Sequence, residues 1–340
     1  ADPLLDSGTG AARDSTVPDP AETGAPRPVA EGGSTGWTCP PGPFGNPIPA
    51  GAVPVRVQGV PPSDAFNMNN GTFGIIEGPV WVADALYVSE IGAGANPPAS
   101  RILKVTPAGM VSVAVANSGT NGLAVDRSGN FYGAVHKDGS VSRIDLSTGA
   151  ATPVASTFMG ARFNSPNDLA VRSDGTIYFS DPDYQAPSPH PQLKTRLYRI
   201  APGTSAVTVV DDTLSEPNGV TFSLDEKTLF VTTPGALYKY SVMADGSVGP
   251  GSMTMPTVSS GDGMTLDCAG NLYVATPNAI VVLSPSGSEI GRIAVTAGVQ
   301  SATNVAFGGA DHKTLYITAL GSGTQKGLLQ VALAIPGLPY

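Results

Sequence analysis

Charge is scarce in this chain: only 13% of its 340 residues are Asp, Glu, Lys or Arg. The net charge is −9, of which −4 lies before Trp37 and −5 after it, and no basic stripe forms anywhere. That distribution argues against a nucleic-acid partner. No window repeats apolar residues at helical spacing over three turns, so no long helix is expected. The longest apolar runs, such as Ala279 to Leu283, are strand-sized and give no membrane-spanning segment. Histidine occurs three times, and no Gly-x-Ser-x-Gly elbow accompanies it, which leaves a serine-hydrolase reading without support. The two cysteines, Cys39 and Cys268, lie far apart without metal-finger spacing. They are either two thiols or one disulfide, which in the loop-entropy picture would stabilise the fold by roughly 4–5 kcal/mol.

Glycine (42) and proline (32) are abundant, which suits an all-β protein with many turns. Residues 1–36 hold no aromatic side chain and are rich in Pro, Gly, Ser, Thr, Ala and Asp. Such a segment cannot bury enough apolar surface to offset the entropy of ordering it. The expectation is a disordered Pro/Gly/Asp-rich tether over 1–38 and a single domain over 39–340. With no initiating Met and no signal peptide, the chain reads as a mature or trimmed form. A secreted, periplasmic or cell-envelope location, tethered through the first segment, is the corresponding expectation.

An internal repeat organises the rest. Six short strands carry an aromatic at Tyr87, Tyr132, Tyr178, Phe230, Tyr273 and Tyr316, spaced by 45, 46, 52, 43 and 43 residues. Ten to thirteen residues before each aromatic comes another short strand, for example Asn121-Gly122-Leu123-Ala124-Val125. A third strand follows each aromatic (Arg101 to Val105 in the first unit), and a fourth follows in five units (Val111 to Ala116 in the first). The sixth unit ends without its fourth strand, and an extended run marked by Val53, Val55, Val57 and Val60 is available to supply it. Four strands per unit of about 45 residues predict a six-bladed β-propeller of antiparallel blades, the last closed by an N-terminal strand. Closure would protect edges that otherwise pair with other chains. A solenoid or sandwich does not explain six in-phase copies with a complementary terminal strand.

In a propeller the innermost strands surround a central channel. The first residue of each inner strand, read around the ring, is Glu77, Asn121, Asn167, Asn218, Asp262 and Thr303. Any one Asn-Gly or Asp-Gly pair is a common turn former. Five polar residues at equivalent positions point instead to a site. Two carboxylates about 4 Å apart repel by roughly 4 kcal/mol at an effective dielectric near 20. Either one takes up a proton or a cation sits between them. Oxygen donors without His or Cys match a hard divalent metal, with Ca2+ first, Mg2+ or Mn2+ next, and Zn2+ less suited.

At these residues the chain resembles the SMP-30/gluconolactonase/luciferin-regenerating-enzyme family, in its bacterial gluconolactonase-like branch. The likeness runs from about Gly74 to Thr318. It rests on Glu77-Gly78-Pro79-Val80-Trp81, on Asn164-Ser165-Pro166-Asn167-Asp168 with Phe179-Ser180-Asp181-Pro182, on Glu216-Pro217-Asn218-Gly219, and on Gly261-Asp262-Gly263-Met264. The resemblance implies a six-bladed propeller whose divalent metal is held by Glu77, Asn167, Asn218 and Asp262. It implies hydrolysis of a small-molecule lactone, or in relatives of an organophosphate ester, with Asn121 lining the pocket. The second unit reads Val135-His136-Lys137, whereas that branch often carries Glu-His-Gly. His136 is thus a substrate contact or a plain loop histidine. His190 and His312 are expected at the surface, and the loop around Ser188 is a candidate lid.

The mechanistic expectation follows. The metal polarises a lactone carbonyl, and Asp262 activates the attacking water. Glu77 acts as a ligand beside it in the catalytic pair. Asn121, Asn167 and Arg162 orient the substrate. A monomer is expected. The alternatives are a non-enzymatic, metal-containing binding propeller and a phosphotriesterase-type hydrolase.

Overall fold

Strands form where aromatic and branched residues alternate between turns rich in Gly and Asp. The computed structural model of the protein describes residues 38–57, 59–60, 75–92, 97–255, 258–295, 301–320 and 327–338, with backbone alone over 252–255. These residues contain twenty-six strands and no helix. Apart from Thr38, the expected tether lies outside the described residues.

The chain enters through β1 (Val55–Arg56) and then builds a meander of β2 (Ile75–Val82), β3 (Ala85–Ile91), β4 (Ser100–Val105) and β5 (Val111–Val115). A second meander comprises β6 (Thr120–Val125), β7 (Phe131–Val135), β8 (Ser140–Ile144) and β9 (Ala151–Ala155). A small hairpin follows, β10 (Thr157–Phe158) with β11 (Ala161–Arg162). Next come β12 (Leu169–Val171), β13 (Ile177–Asp181), β14 (Arg196–Ile200) and β15 (Val207–Asp211). They are followed by β16 (Val220–Phe222), β17 (Thr228–Thr232), β18 (Leu237–Ser241) and β19 (Ser252–Met255). Then come β20 (Met264–Leu266), β21 (Leu272–Thr276), β22 (Ala279–Leu283) and β23 (Glu289–Ala294). The last three strands are β24 (Ser301–Gly308), β25 (Thr314–Leu320) and β26 (Gly327–Ala332). Four sheets have four strands in sequence order. In the remaining eight-stranded sheet, β2 to β5 meet β24 to β26 through the single pair Ile75↔Leu320.

The N-terminal strand pairs antiparallel with the last one, Val55 opposite Gln330 and Arg56 opposite Leu329. It is shorter than the valine pattern suggests. Val53 and Val55 are 65% and 55% exposed, whereas Val57 is 6% exposed and continues the ladder by donating to Leu328 O at 2.9 Å. The ladder therefore rests on backbone pairing and one buried valine.

In two of the six units the aromatic has a local cause. Asp126 Oδ1 accepts from the N–H groups of Ser128 and Asn130, and its Oδ2 accepts from Asn130 Nδ2 and Tyr132 OH. Asp267 does the same with Ala269, Asn271 and Tyr273. An Asp-x-x-Gly-Asn-x-Tyr run thus closes a turn and fixes the start of the next strand at once. The rings then fill apolar clusters shared by neighbouring sheets. Tyr273, Ile280 and Ile293 pack with Val305, Phe307 and Leu315, and Ile76, Trp81 and Leu86 pack with Tyr316 and Leu328. Burying one such side chain contributes roughly 1.5–3 kcal/mol.

Two features at the C-terminal side were not legible beforehand. Cys39 and Cys268 form a disulfide, with Cα atoms 5.4 Å apart. His312, expected at the surface, is only 4% exposed. The tail folds back over it: Gly337 N donates to His312 O at 2.8 Å and Leu338 N donates to Leu266 O at 3.1 Å. His190 is exposed as expected and pairs with Asp183 at 3.2 Å.

Candidate active site and metal centre

The six positions singled out by the repeat line one cavity of about 450 Å³: Glu77, Asn121, Asn167, Asn218, Asp262 and Thr303. Of the cavity residues, none of the pairs Asn121-Gly122, Asn218-Gly219 and Asp262-Gly263 serves as a hairpin turn. Asn121-Gly122 lies inside β6, and Asn167, Asn218 and Asp262 extend the ladders of β12, β16 and β20. Each of these three donates its N–H to its own second strand, to Ser180 O, Thr232 O and Ala275 O at 3.0, 2.9 and 2.9 Å. Register shifts occur at Glu77/Val80, Thr120/Leu123 and Ala302/Asn304. A bulge re-aims the side chain it carries, here toward the cavity. The glycines answer a different need. A Cβ on Gly78, which has a φ of 54°, would collide with Asn121 O of the next sheet. One on Gly263 would overlap the Asn304 side chain. Only glycine lets neighbouring inner strands approach this closely.

The cavity is hostile to its own carboxylates. Burial, with the negative Asp168 adding to it, pushes Glu77 up to about 8, although Gly78 N–H donates to its Oε2 at 3.1 Å. Burial, followed by the fields of Glu77 and Asp168, raises Asp262 well above the usual carboxylate range. Burial also raises Asp168 to about 7, against backbone hydrogen bonds from Val220 N at 3.0 Å and Leu169 N at 2.9 Å. Among the described residues, no ion pair reaches Glu77 or Asp262. Nor do those residues bring three or more His, Cys, Asp or Glu side chains together to hold a metal. The donor set is two carboxylates with the amides of Asn167 and Asn218 around the same space. Buried acids without a cationic side chain, beside neutral oxygen donors, fit a hard divalent cation.

Two expected substrate contacts lie elsewhere. Arg162 does not line this cavity; its guanidinium donates to the carbonyls of Phe163, His136 and Lys137 at 3.1, 2.9 and 3.2 Å. His136 is fully buried outside the cavity lining, with Nε2 2.9 Å from Pro98 O, and burial lowers it to about 4. The cavity also takes in residues the repeat did not single out, chiefly Tyr184, Gln185 and Ser260. Tyr184 OH donates to Glu216 O at 3.4 Å, and burial raises its phenol. Asp168 had a signal: it stands where four of the other five units place glycine after the site residue.

A second cavity, of about 100 Å³, lies further along the same strands. It is lined by apolar residues such as Val80, Leu123, Leu169, Val220 and Met264, and reaches Glu226 beyond β16.

An all-β protein of sequential four-stranded meanders, with two carboxylates and several amides converging on one cavity, defines the class. The chain belongs to the SMP-30/gluconolactonase/LRE-like family, which matches residues 75–321. It is 29% identical to a gluconolactonase of Zymomonas mobilis over 72% of this chain and 75% of that one. It is 31% identical to a lactonohydrolase of Aspergillus oryzae over 53% of this chain, and spans 47% of that protein's length. Among solved structures, a gluconolactonase from Xanthomonas campestris superposes with a TM-score of 0.65 at 28% identity, over 86% of this chain and 98% of that one.

Proposed function

We propose that the chain is a six-bladed β-propeller that opens lactone rings with the help of a divalent metal. Ring closure is supported by β1 on β26 and by apolar clusters shared between successive sheets, the last and first included. The lactonase reading is supported by the relatives' names and by the buried acids and amides of the cavity. Glu77, Asn167, Asn218 and Asp262 would hold the metal, with calcium favoured by the donor set. When bound, it would supply Lewis-acid polarisation of the ester carbonyl. Asp262 takes the proton from the attacking water, aided by the burial and the negative neighbours that make its carboxylate basic. Water oxygen bonds to the carbonyl carbon, the ring C–O bond breaks, and the ring oxygen leaves protonated. Asn121 and Asn167 orient substrate hydroxyls. An oxidising, extracytoplasmic compartment belongs to the same reading, supported by the Cys39–Cys268 disulfide.

The observation that carries this reading is the pair of acids lining one cavity, Glu77 buried and Asp262 half-buried, without a cationic side chain among the described residues. The test is turnover of a lactone panel and a phosphotriester panel, each with and without chelator. Lactone hydrolysis lost to chelator and restored by Ca2+ is expected. Hydrolysis indifferent to chelator, or confined to phosphotriesters, overturns it.

A further inference from the structure

A third cavity adjoins the active-site cavity. It measures about 220 Å³, and Ser260 and Pro277 line both. Pockets for small molecules span roughly 300–1,000 Å³. At about 450 Å³ the main cavity falls near the small end of that range, and the third falls below it. The third cavity is thus an annex of its neighbour and too small for a separate site. Its rim carries the side chains of Ser259, Ser260 and Asn278, none with a hydrogen-bond partner among the described residues. Arg292 faces the annex but is already paired with Glu289, by Nε at 2.6 Å and Nη2 at 2.8 Å. The pair is neutral overall and leaves Arg292 Nη1 as a hydrogen-bond donor. Val281 and Pro277 give the lining an apolar side.

A neutral polar rim with an apolar wall suits one kind of substituent. A phosphate would meet a guanidinium already claimed by a carboxylate. An alkyl chain would strip water from two hydroxyls and an amide and offer nothing back. A sugar ring has hydroxyls at its edge and C–H groups on its face. Resting on the lactonase reading, we infer that the annex holds a second, neutral sugar ring attached to the lactone, so that a two-ring aldonolactone is the preferred substrate. The lactone ring occupies the main cavity, and the second ring crosses the sill formed by Ser260 and Pro277.

Two or three neutral hydrogen bonds correspond to about a tenfold or larger gain in KM. The experiment compares glucono-δ-lactone, the δ-lactone of cellobionic acid and 6-phosphogluconolactone on the full chain with Ca2+. The expected result is a KM for the two-ring lactone at least about tenfold lower than for the single ring. In Asn278→Ala, and independently in Ser259→Phe, which fills the annex from an exposed position, that ratio falls to near one. Equal KM values for the one- and two-ring lactones overturn the inference while leaving the lactonase reading intact. So does a preference for the phosphorylated lactone, or a two-ring preference that survives both substitutions. No turnover of any lactone overturns the lactonase reading itself.

Discussion

Where the inner strands begin, Glu77 is buried and Asp262 half-buried, neither with an ion-pair partner among the described residues. Beyond their other end, Glu226 has both oxygens occupied. Its Oε1 accepts from Arg127 at 3.0 Å and from Ser173 N at 3.1 Å, and its Oε2 accepts from Ser173 Oγ with Arg172 3.9 Å away. The same fold therefore satisfies acids at one end and leaves them in need at the other. An acid answered by arginines and backbone from the turns of two neighbouring sheets acts as a structural tie. An acid left in a cavity without a cationic partner is held there for something the chain does not itself contain.

The largest expected effect breaks or confirms the chemical half of this contrast. Asp262→Asn keeps an oxygen donor but removes the base. Turnover of a lactone should fall by roughly 10²–10⁴-fold. Metal content, measured by elemental analysis of the purified variant, should remain measurable. Turnover that persists with metal bound assigns the base elsewhere. Glu226→Gln should leave turnover near wild type, because Glu226 lies in the lining of a different cavity.

The next effect concerns stability, and the two ends should respond with opposite signs. Glu77 is raised from 4.5 to about 8, so the folded, metal-free protein binds its proton where the unfolded chain has released it. Stability is lost as pH rises through that window. In chelator at pH 8, Glu77→Gln should therefore stabilise, by roughly 2–4 kcal/mol. Glu226→Gln should destabilise by about 1–3 kcal/mol, since it strips partners from Arg127, Arg172 and Ser173. Urea midpoints of the two variants in chelator would check this. Shifts in the same direction would dissolve the contrast.

Much of this contrast was legible in the residues. The aromatic spacing marked the meanders, and in two units Asp126 and Asp267 bind both the turn and the tyrosine that follows. The six cavity positions were legible because each unit repeats a polar residue before its inner strand. What repetition does not encode was missed. Tyr184 and Gln185 sit in a long connection between β13 and β14, and only tertiary contacts such as Tyr184 OH to Glu216 O bring it over the cavity. His312 is covered by a tail whose residues 333–338 carry no repeat signal. Arg162 was expected to orient the substrate, and in the structure three backbone carbonyls accept from its guanidinium. Carbonyl partners leave no trace in a sequence.

The smallest effect extends the contrast to acid. His136 lies at the end where the inner strands begin, since Val135 pairs with Thr120, beside Asn121. Burial lowers it from 6.5 to about 4; Asp138 opposes that shift, and Arg162 and Lys137 reinforce it. Its Nδ1 is buried without a hydrogen-bond partner among the described residues. The unfolded chain takes up a proton near pH 6.5 and the folded chain only near 4, so stability present above pH 6.5 is lost as pH falls toward 4. At pH 5 the loss amounts to about 2 kcal/mol. His136→Gln retains a donor for Pro98 O and cannot be charged. Its stability relative to wild type should therefore improve by about that amount between pH 7 and pH 5. Parallel pH profiles for the two proteins would mean that acid sensitivity arises from other groups, and that the end of the molecule holding the unanswered carboxylates is no more fragile than the end that ties them down.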